Sequence, residues 1–212
     1  MTLAKQAAQG STDAGATVYK YDPPSLYVTD AFYDWLVDVS LDLDASKFRG
    51  EVVSADIQGE IEQLLAAEAR LLDQKAFSTW LDLYHDECAY WIPSEWPAPD
   101  PRKTVTLEFH DLRRLLDRAA RLETGLAYSQ YPASRTSRVL SGVEIWASEG
   151  RSDEWRVRCN FALSEFRNGF NRVLAGWNGF VIRRTDDGLR VVLKQINLID
   201  CDRPQGNNSF FL

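Results

Sequence analysis

The chain is poor in the residues that do most protein chemistry. Two histidines, three cysteines and one methionine occur in 212 residues. No CxH or CxxH pair exists, so the paired Cys and His motifs of a Rieske cluster cannot be assembled here. The cysteines Cys88, Cys159 and Cys201 are odd in number, far apart and in no CxxC arrangement, which reads as reduced thiols. There is no GxSxG, no P-loop and no GxGxxG, and the glycines of LAGWNGF match no phosphate-binding pattern. No apolar run approaches the length of a bilayer span or a signal-peptide core, so a cytoplasmic protein without membrane contact is expected. Basic runs are also missing. With 24 Lys and Arg against 31 Asp and Glu the net charge is -7, which argues against nucleic acid as a partner.

What is present is enough for one well-packed domain: 45% hydrophobic residues, including seven tryptophans. Residues 1–25 are small and polar and read as a flexible arm; residues 26–212 read as a single domain. Phe32, Trp35, Leu36 and Val39 follow a helical period with Thr29 as a candidate cap, and Asp30, Asp34, Asp38 and Asp42 form a neighbouring acidic stripe. That stripe is either a solvated face or a surface docked on something basic. A second helix is predicted from about Asp56 to Asp73, and Phe77, Trp80, Leu81 and Tyr84 continue the helical spacing after a break. From Cys88 the period becomes that of a strand, stopped by Pro93. The stretch PSEWPAPDPR, residues 93–102, holds four of the eight prolines and predicts a stiff loop.

Thr104 to His110 alternates again, with Val105, Leu107 and Phe109 on one face. Asp111 then caps a helix carrying Leu112, Leu115, Leu116 and Ala119, with Gly125 at its end. Four long strands follow, at roughly 136–148, 153–167, 170–184 and 189–200, joined by hairpin turns at 149–152 and 185–188. Helices first and an antiparallel meander afterwards predict an α+β fold, with helices over one face of a curved sheet. The last strand is apolar on both sides. Alternation puts Leu189, Val191, Leu193 and Ile199 on one side and Val192, Ile196 and Leu198 on the other, so the second side is expected to meet another chain.

His85 and His110 could contribute to an iron site with Asp86, Glu87 or Asp111. Adjacent residues of an extended chain point to opposite faces, however, so polar residues at element ends are the simpler reading. An acid-base site using His85 or His110 with a carboxylate, as in a stand-alone dehydratase or isomerase, stays open at this point. So does a plain ligand-binding homo-oligomer.

Several stretches resemble one family. EARLLDQKAFSTWLDLYHDECAYWIP (68–93), RLETGLAYSQYPASRTSRVLSGVEIW (121–146), Cys159-Asn160-Phe161 and KQINLIDCDRPQGNNSFFL resemble, in that order, signature segments of the small (beta) subunits of bacterial aromatic-ring-hydroxylating dioxygenases. The chain departs from the family pattern at Ser141-Gly142-Val143 and at Gly176-Trp177-Asn178-Gly179. The resemblance implies a nuclear-transport-factor-2-like cone, with N-terminal helices packed on a curved antiparallel or mixed sheet. It implies a structural subunit that self-associates as a trimer inside an α3β3 hexamer. Under it, the Rieske [2Fe-2S] cluster and mononuclear Fe(II) belong to the large subunit, which receives NADH electrons through a ferredoxin or reductase. This chain would then hold neither cofactor nor catalytic residue. Its interface candidates are Trp80, Trp91, Arg135, Arg138, Val192, Ile196 and Leu198.

Overall fold

The computed structural model describes residues 29–45, 53–125 and 127–212; the arm expected over 1–25 lies outside them. Helices α1 (Asp30–Asp44), α2 (Ala55–Asp73) and α3 (Phe77–Leu81) precede strands β1 (Tyr84–Pro93) and β2 (Thr106–Asp111). Helix α4 (Leu112–Glu123) leads into the long strands β3 (Arg135–Ala147), β4 (Glu154–Arg167), β5 (Phe170–Thr185) and β6 (Gly188–Leu198). The six strands form one sheet in the order β2-β1-β6-β5-β4-β3. All pairs are antiparallel except β1 with β6, so the sheet is mixed.

Local chemistry sets the boundaries. Thr29, Ser54 and Asp111 each accept a backbone N–H of the helix that follows, and Gly125 takes a positive φ just past α4. Asp111 is the best placed, accepting Arg114 N at 2.8 Å. Asp111→Ala is expected to lower stability by about 1 kcal/mol in a urea melt. Strand β1 begins at Tyr84 rather than Cys88, so His85 and Asp86 lie in the strand and do not close a helix. Four apolar expectations shift outward: Leu116 is exposed on the outer side of α4, Val105 ahead of edge strand β2, Leu107 within it and Ile199 just past β6.

The larger revision concerns β6. Opposite Ile182 stands Val191, and opposite Val181 stands Leu193, so Val192 is an extra residue in a β-bulge. A bulge reverses the alternation beyond it. Ile196 and Leu198 therefore join Leu189 and Val191 in the core under α2, α3 and α4, while Leu193 joins Val192 on the opposite face. That opposite face is covered by the chain's own α1, whose Leu36, Val39 and Leu43 are buried against Val181, Val192 and Leu193. Helices thus lie on both faces, not one. The strand is doubly apolar because it is covered twice within one chain; burial is worth about 1.5–3 kcal/mol per such side chain.

Charge pairs fix α1 in place. Arg102 of the proline-rich loop reaches Asp34 at 2.8 Å and Asp30 at 3.4 Å, while Asp42 accepts Trp146 Nε1 at 3.2 Å and faces Arg156 at 3.7 Å. The basic counterpart of the acidic stripe is therefore this chain's own loop and sheet.

Candidate functional site

The interior between the sheet and α2–α4 contains a buried polar cluster. Helix α2 buries Ile61, Leu65, Ala69 and Leu72 at helical spacing, and Glu68 falls on the same stripe. Its Oε1 accepts three donors: Lys194 Nζ at 2.8 Å, Trp80 Nε1 at 2.9 Å and Tyr84 Oη at 3.2 Å. Lys194 and Glu68 are 1% and 3% exposed. Burial pulls the Lys194 ammonium below its usual range, opposed by the Glu68 charge, and burial followed by Glu68 pushes Tyr84 up.

The remaining space is taken by the segment Phe210–Leu212. The Phe211 ring packs between Phe77, Trp80 and Tyr90, with centroids 4.6–6.1 Å away, and Arg118 lies over it at 4.6 Å. Lys194 Nζ donates to the Leu212 backbone oxygen at 2.7 Å, and Tyr90 Oη bonds both that oxygen and Leu212 N at 3.0 Å. The space between the sheet and these helices is thus occupied largely by the chain itself.

The histidines do not converge. Tyr90 stands opposite His110 in the β1–β2 ladder, and His85 lies five residues back along β1, roughly 16 Å away at strand rise. His85 Nδ1 accepts the Glu87 N–H at 3.1 Å. His110 is 3.6 Å from Glu108, but Arg118 pairs with that carboxylate and also binds the Asn208 and Phe210 carbonyls, tying the group into the fold. An open cleft of about 930 Å³ beside it is lined by Arg113, Arg114 and Arg121 as well.

No cluster of three or more His, Cys, Asp or Glu suited to a metal exists among the described residues. Cys88 on β1 and Cys159 on β4 are three strand spacings apart, roughly 14 Å. Burial pushes the Cys159 thiol up to about 12 and Cys88 still higher. These residues do not fit an iron–sulfur cluster.

Of the expected interface residues, five are core. Trp80, Trp91, Val192, Ile196 and Leu198 are buried within this chain and have no surface left to offer a partner, and Trp91 Nε1 is satisfied by Thr106 Oγ1 at 3.0 Å. Arg138 is also turned inward: its guanidinium pairs with Asp73 of α2 and donates to the Phe211 carbonyl oxygen. Arg135 alone is exposed, stacked over Phe166 at 4.5 Å. Sequence reasoning missed a different surface. Beyond the reach of α1, the rows Ser137-Ser164-Val173 and Val139-Ala162-Ala175 form an uncharged patch across β3, β4 and β5. Val139 and Val173 are 63% and 65% exposed. The signal was available in strands that alternate buried large residues with small or apolar ones on the outer side.

Comparison with known proteins decides the family. Residues 67–202 match the ring hydroxylating beta subunit family. The chain belongs to that family. This beta subunit is 32% identical over 162 residues to the small oxygenase component of the p-cumate 2,3-dioxygenase system of Pseudomonas putida, covering 73% of this chain and 87% of that one. It is 26% identical to the benzoate 1,2-dioxygenase beta subunit of Acinetobacter baylyi, over 66% and 84% of the two chains. In structure it is similar to the benzoate 1,2-dioxygenase beta subunit of Burkholderia mallei, with TM-score 0.60, 25% identity and coverage of 76% and 99%. A naphthalene 1,2-dioxygenase chain shares the fold, with TM-score 0.64, 20% identity and coverage of 76% and 89%. The α+β architecture expected from the resemblance, N-terminal helices packed on a mixed sheet, is the one observed. This chain is thus a beta subunit of the ring-hydroxylating family, its relatives are components of dioxygenases, which are oxidoreductases, and the stand-alone acid-base reading is not favoured.

Proposed function

We propose that this beta subunit organises an α3β3 terminal oxygenase in the cytoplasm, and that it does so by meeting copies of itself through the uncharged patch on β3–β5. The large subunits would hold the Rieske cluster and the mononuclear iron, take electrons from a ferredoxin or reductase, and add O2 to an aromatic ring. The observation that carries this reading is the patch itself. A chain of net charge -7 repels its own copies over most of its surface, and the Ser137, Val139, Ala162, Ser164, Val173 and Ala175 block offers contact without like-charge opposition. Arg135, exposed at one end of the block, would lie at the edge of this contact.

The test is Val139→Glu. The residue is mostly exposed, so folding stability should change by no more than about 0.5 kcal/mol. Three symmetry-related carboxylates brought together should nevertheless dissolve the trimer, read by native mass spectrometry of the co-expressed complex. A hexamer of unchanged mass and stability would refute the assignment. The histidines give a second check. His85→Ala and His110→Ala should leave turnover of the assembled oxygenase within about twofold, whereas loss of a general acid or base would reduce it about a hundredfold or more.

A further inference from the structure

Helix α4 carries a basic face on an acidic chain. Arg114, Arg118 and Arg121 recur at intervals of four and three residues and so share one side of the helix, with Arg113 beside them. The open cleft of about 930 Å³ on that side is lined by these four arginines against two carboxylates, Glu108 and Asp117, whereas the chain as a whole stands at -7. Arg118 is taken by Glu108, and Arg113 lies 3.9 Å from Asp111. Arg114 and Arg121 are exposed and have no carboxylate partner among the described residues.

Aromatic surface adjoins the charge. Tyr128 lines the cleft and Tyr131 stands just beyond it, 82% and 81% exposed. Tyrosine beside arginine is the composition of a protein contact. An adjoining pocket of about 60 Å³ shares Leu122 and Ala127 with the cleft and is lined by Gln130 and Arg138 as well. Both of those side chains are more than nine-tenths buried, yet Gln130 Nε2 and Arg138 Nε meet no acceptor among the described residues. Buried donors left in that state are costly, and an oxygen brought in by a partner would relieve them.

We infer that the α4 face is the docking surface for an acidic segment of the large subunit, with carboxylates against Arg114 and Arg121 and an oxygen acceptor entering the pocket of Gln130 and Arg138. This rests on the assembly reading and gives its second contact a place and a chemistry. Charge complementarity selects the occupant. A second copy of this chain fits less well, because its α1 stripe already meets Arg102 and Arg156. A transient electron carrier fits less well too, since such encounters are small and do not insert into a buried pocket. Helix α4 packs on the side of the sheet opposite Val139 and Val173, so both contacts can form at once.

The test is Arg114→Glu with Arg121→Glu in the co-expressed complex, followed by native mass spectrometry over a dilution series. The concentration at which the hexamer releases its large subunits should rise about tenfold or more, and an intact trimer of beta subunits should remain. Arg114→Lys with Arg121→Lys keeps both charges and should assemble within about threefold of the wild type; a loss equal to that of the reversal would show that charge is not the cause and would overturn the inference. Should the reversal impair folding, Arg114→Gln with Arg121→Gln should still raise the release concentration about threefold or more. An unchanged release concentration overturns the inference and leaves the assembly reading standing. So does an intact hexamer that accepts electrons more slowly from its ferredoxin, which would make the cleft an electron carrier's site, and so does loss of the trimer along with the large subunits. A wild-type pair that forms no hexamer at any concentration overturns both.

Discussion

Lys194→Met is expected to lower unfolding free energy by about 3–5 kcal/mol and the melting midpoint by roughly 10 °C. The side chain sits at 1% exposure, bonded to Glu68 at 2.8 Å and to the Leu212 oxygen at 2.7 Å. Removing the ammonium leaves the Glu68 carboxylate charged, buried and supported only by the neutral donors of Trp80 and Tyr84. The loss comes chiefly from that stranded charge and less from the attraction between the pair. The double variant Glu68→Gln, Lys194→Met distinguishes the two. It removes both charges, retains an amide oxygen for Trp80 and Tyr84, and keeps Tyr90 as a donor to Leu212. It should recover at least about half of the single variant's deficit in a denaturant melt. A single variant losing less than about 1 kcal/mol would mean that water reaches the pair, and the account of a buried, largely self-filled interior would fail.

How much of this was readable before the structure depends on range along the chain. The caps at Thr29 and Asp111, the hairpin turns at 149–152 and 185–188, and the end of α4 at Gly125 are local events, fixed by residues three or four apart, and they lie where the sequence places them. The Glu68–Lys194 pair joins residues 126 apart and has no local signature beyond a carboxylate on an apolar helix stripe and a lysine in an apolar strand. The bulge at Val192 is similarly silent, because a single extra residue in β6 leaves composition and turn chemistry unchanged while exchanging the faces of everything after it. The interface set inherited that error. Val192, Ile196 and Leu198 looked like a spare apolar face, whereas α1 and the core helices account for all three. What reaches outward are residues too small to look like an interface in sequence, Ser137, Ala162 and Ser164 among them.

The glycines that part from the family pattern give the sharpest test of this packing. A Cβ built at Gly176 would stand 1.9 Å from the Asn197 carbonyl oxygen and 3.1 Å from Leu198 Cα, both backbone atoms of β6. Backbone in a paired strand cannot rotate aside, so Gly176→Ala must push β5 and β6 apart and break ladder bonds at the end of their pairing, where Gly176 stands opposite Leu198. A loss of about 4 kcal/mol or more is expected, enough to leave the subunit largely insoluble. At Gly179 the obstacle is the Leu43 side chain of α1, at 2.6 Å, with the Trp177 ring at 3.2 Å. A leucine can change rotamer and α1 can lift slightly, so Gly179→Ala should cost less, about 1–3 kcal/mol, and should loosen α1 in hydrogen exchange while leaving β5 and β6 protected. Gly59 of α2 has nothing within 4 Å, and alanine there should stabilise by about 0.5–1 kcal/mol through helix propensity alone. The order Gly176 worst, Gly179 intermediate and Gly59 favourable follows from which element each glycine touches. If Gly179→Ala were neutral and α1 exchanged no faster, α1 would not be the cover of the second face, and that face would again be free for a partner chain.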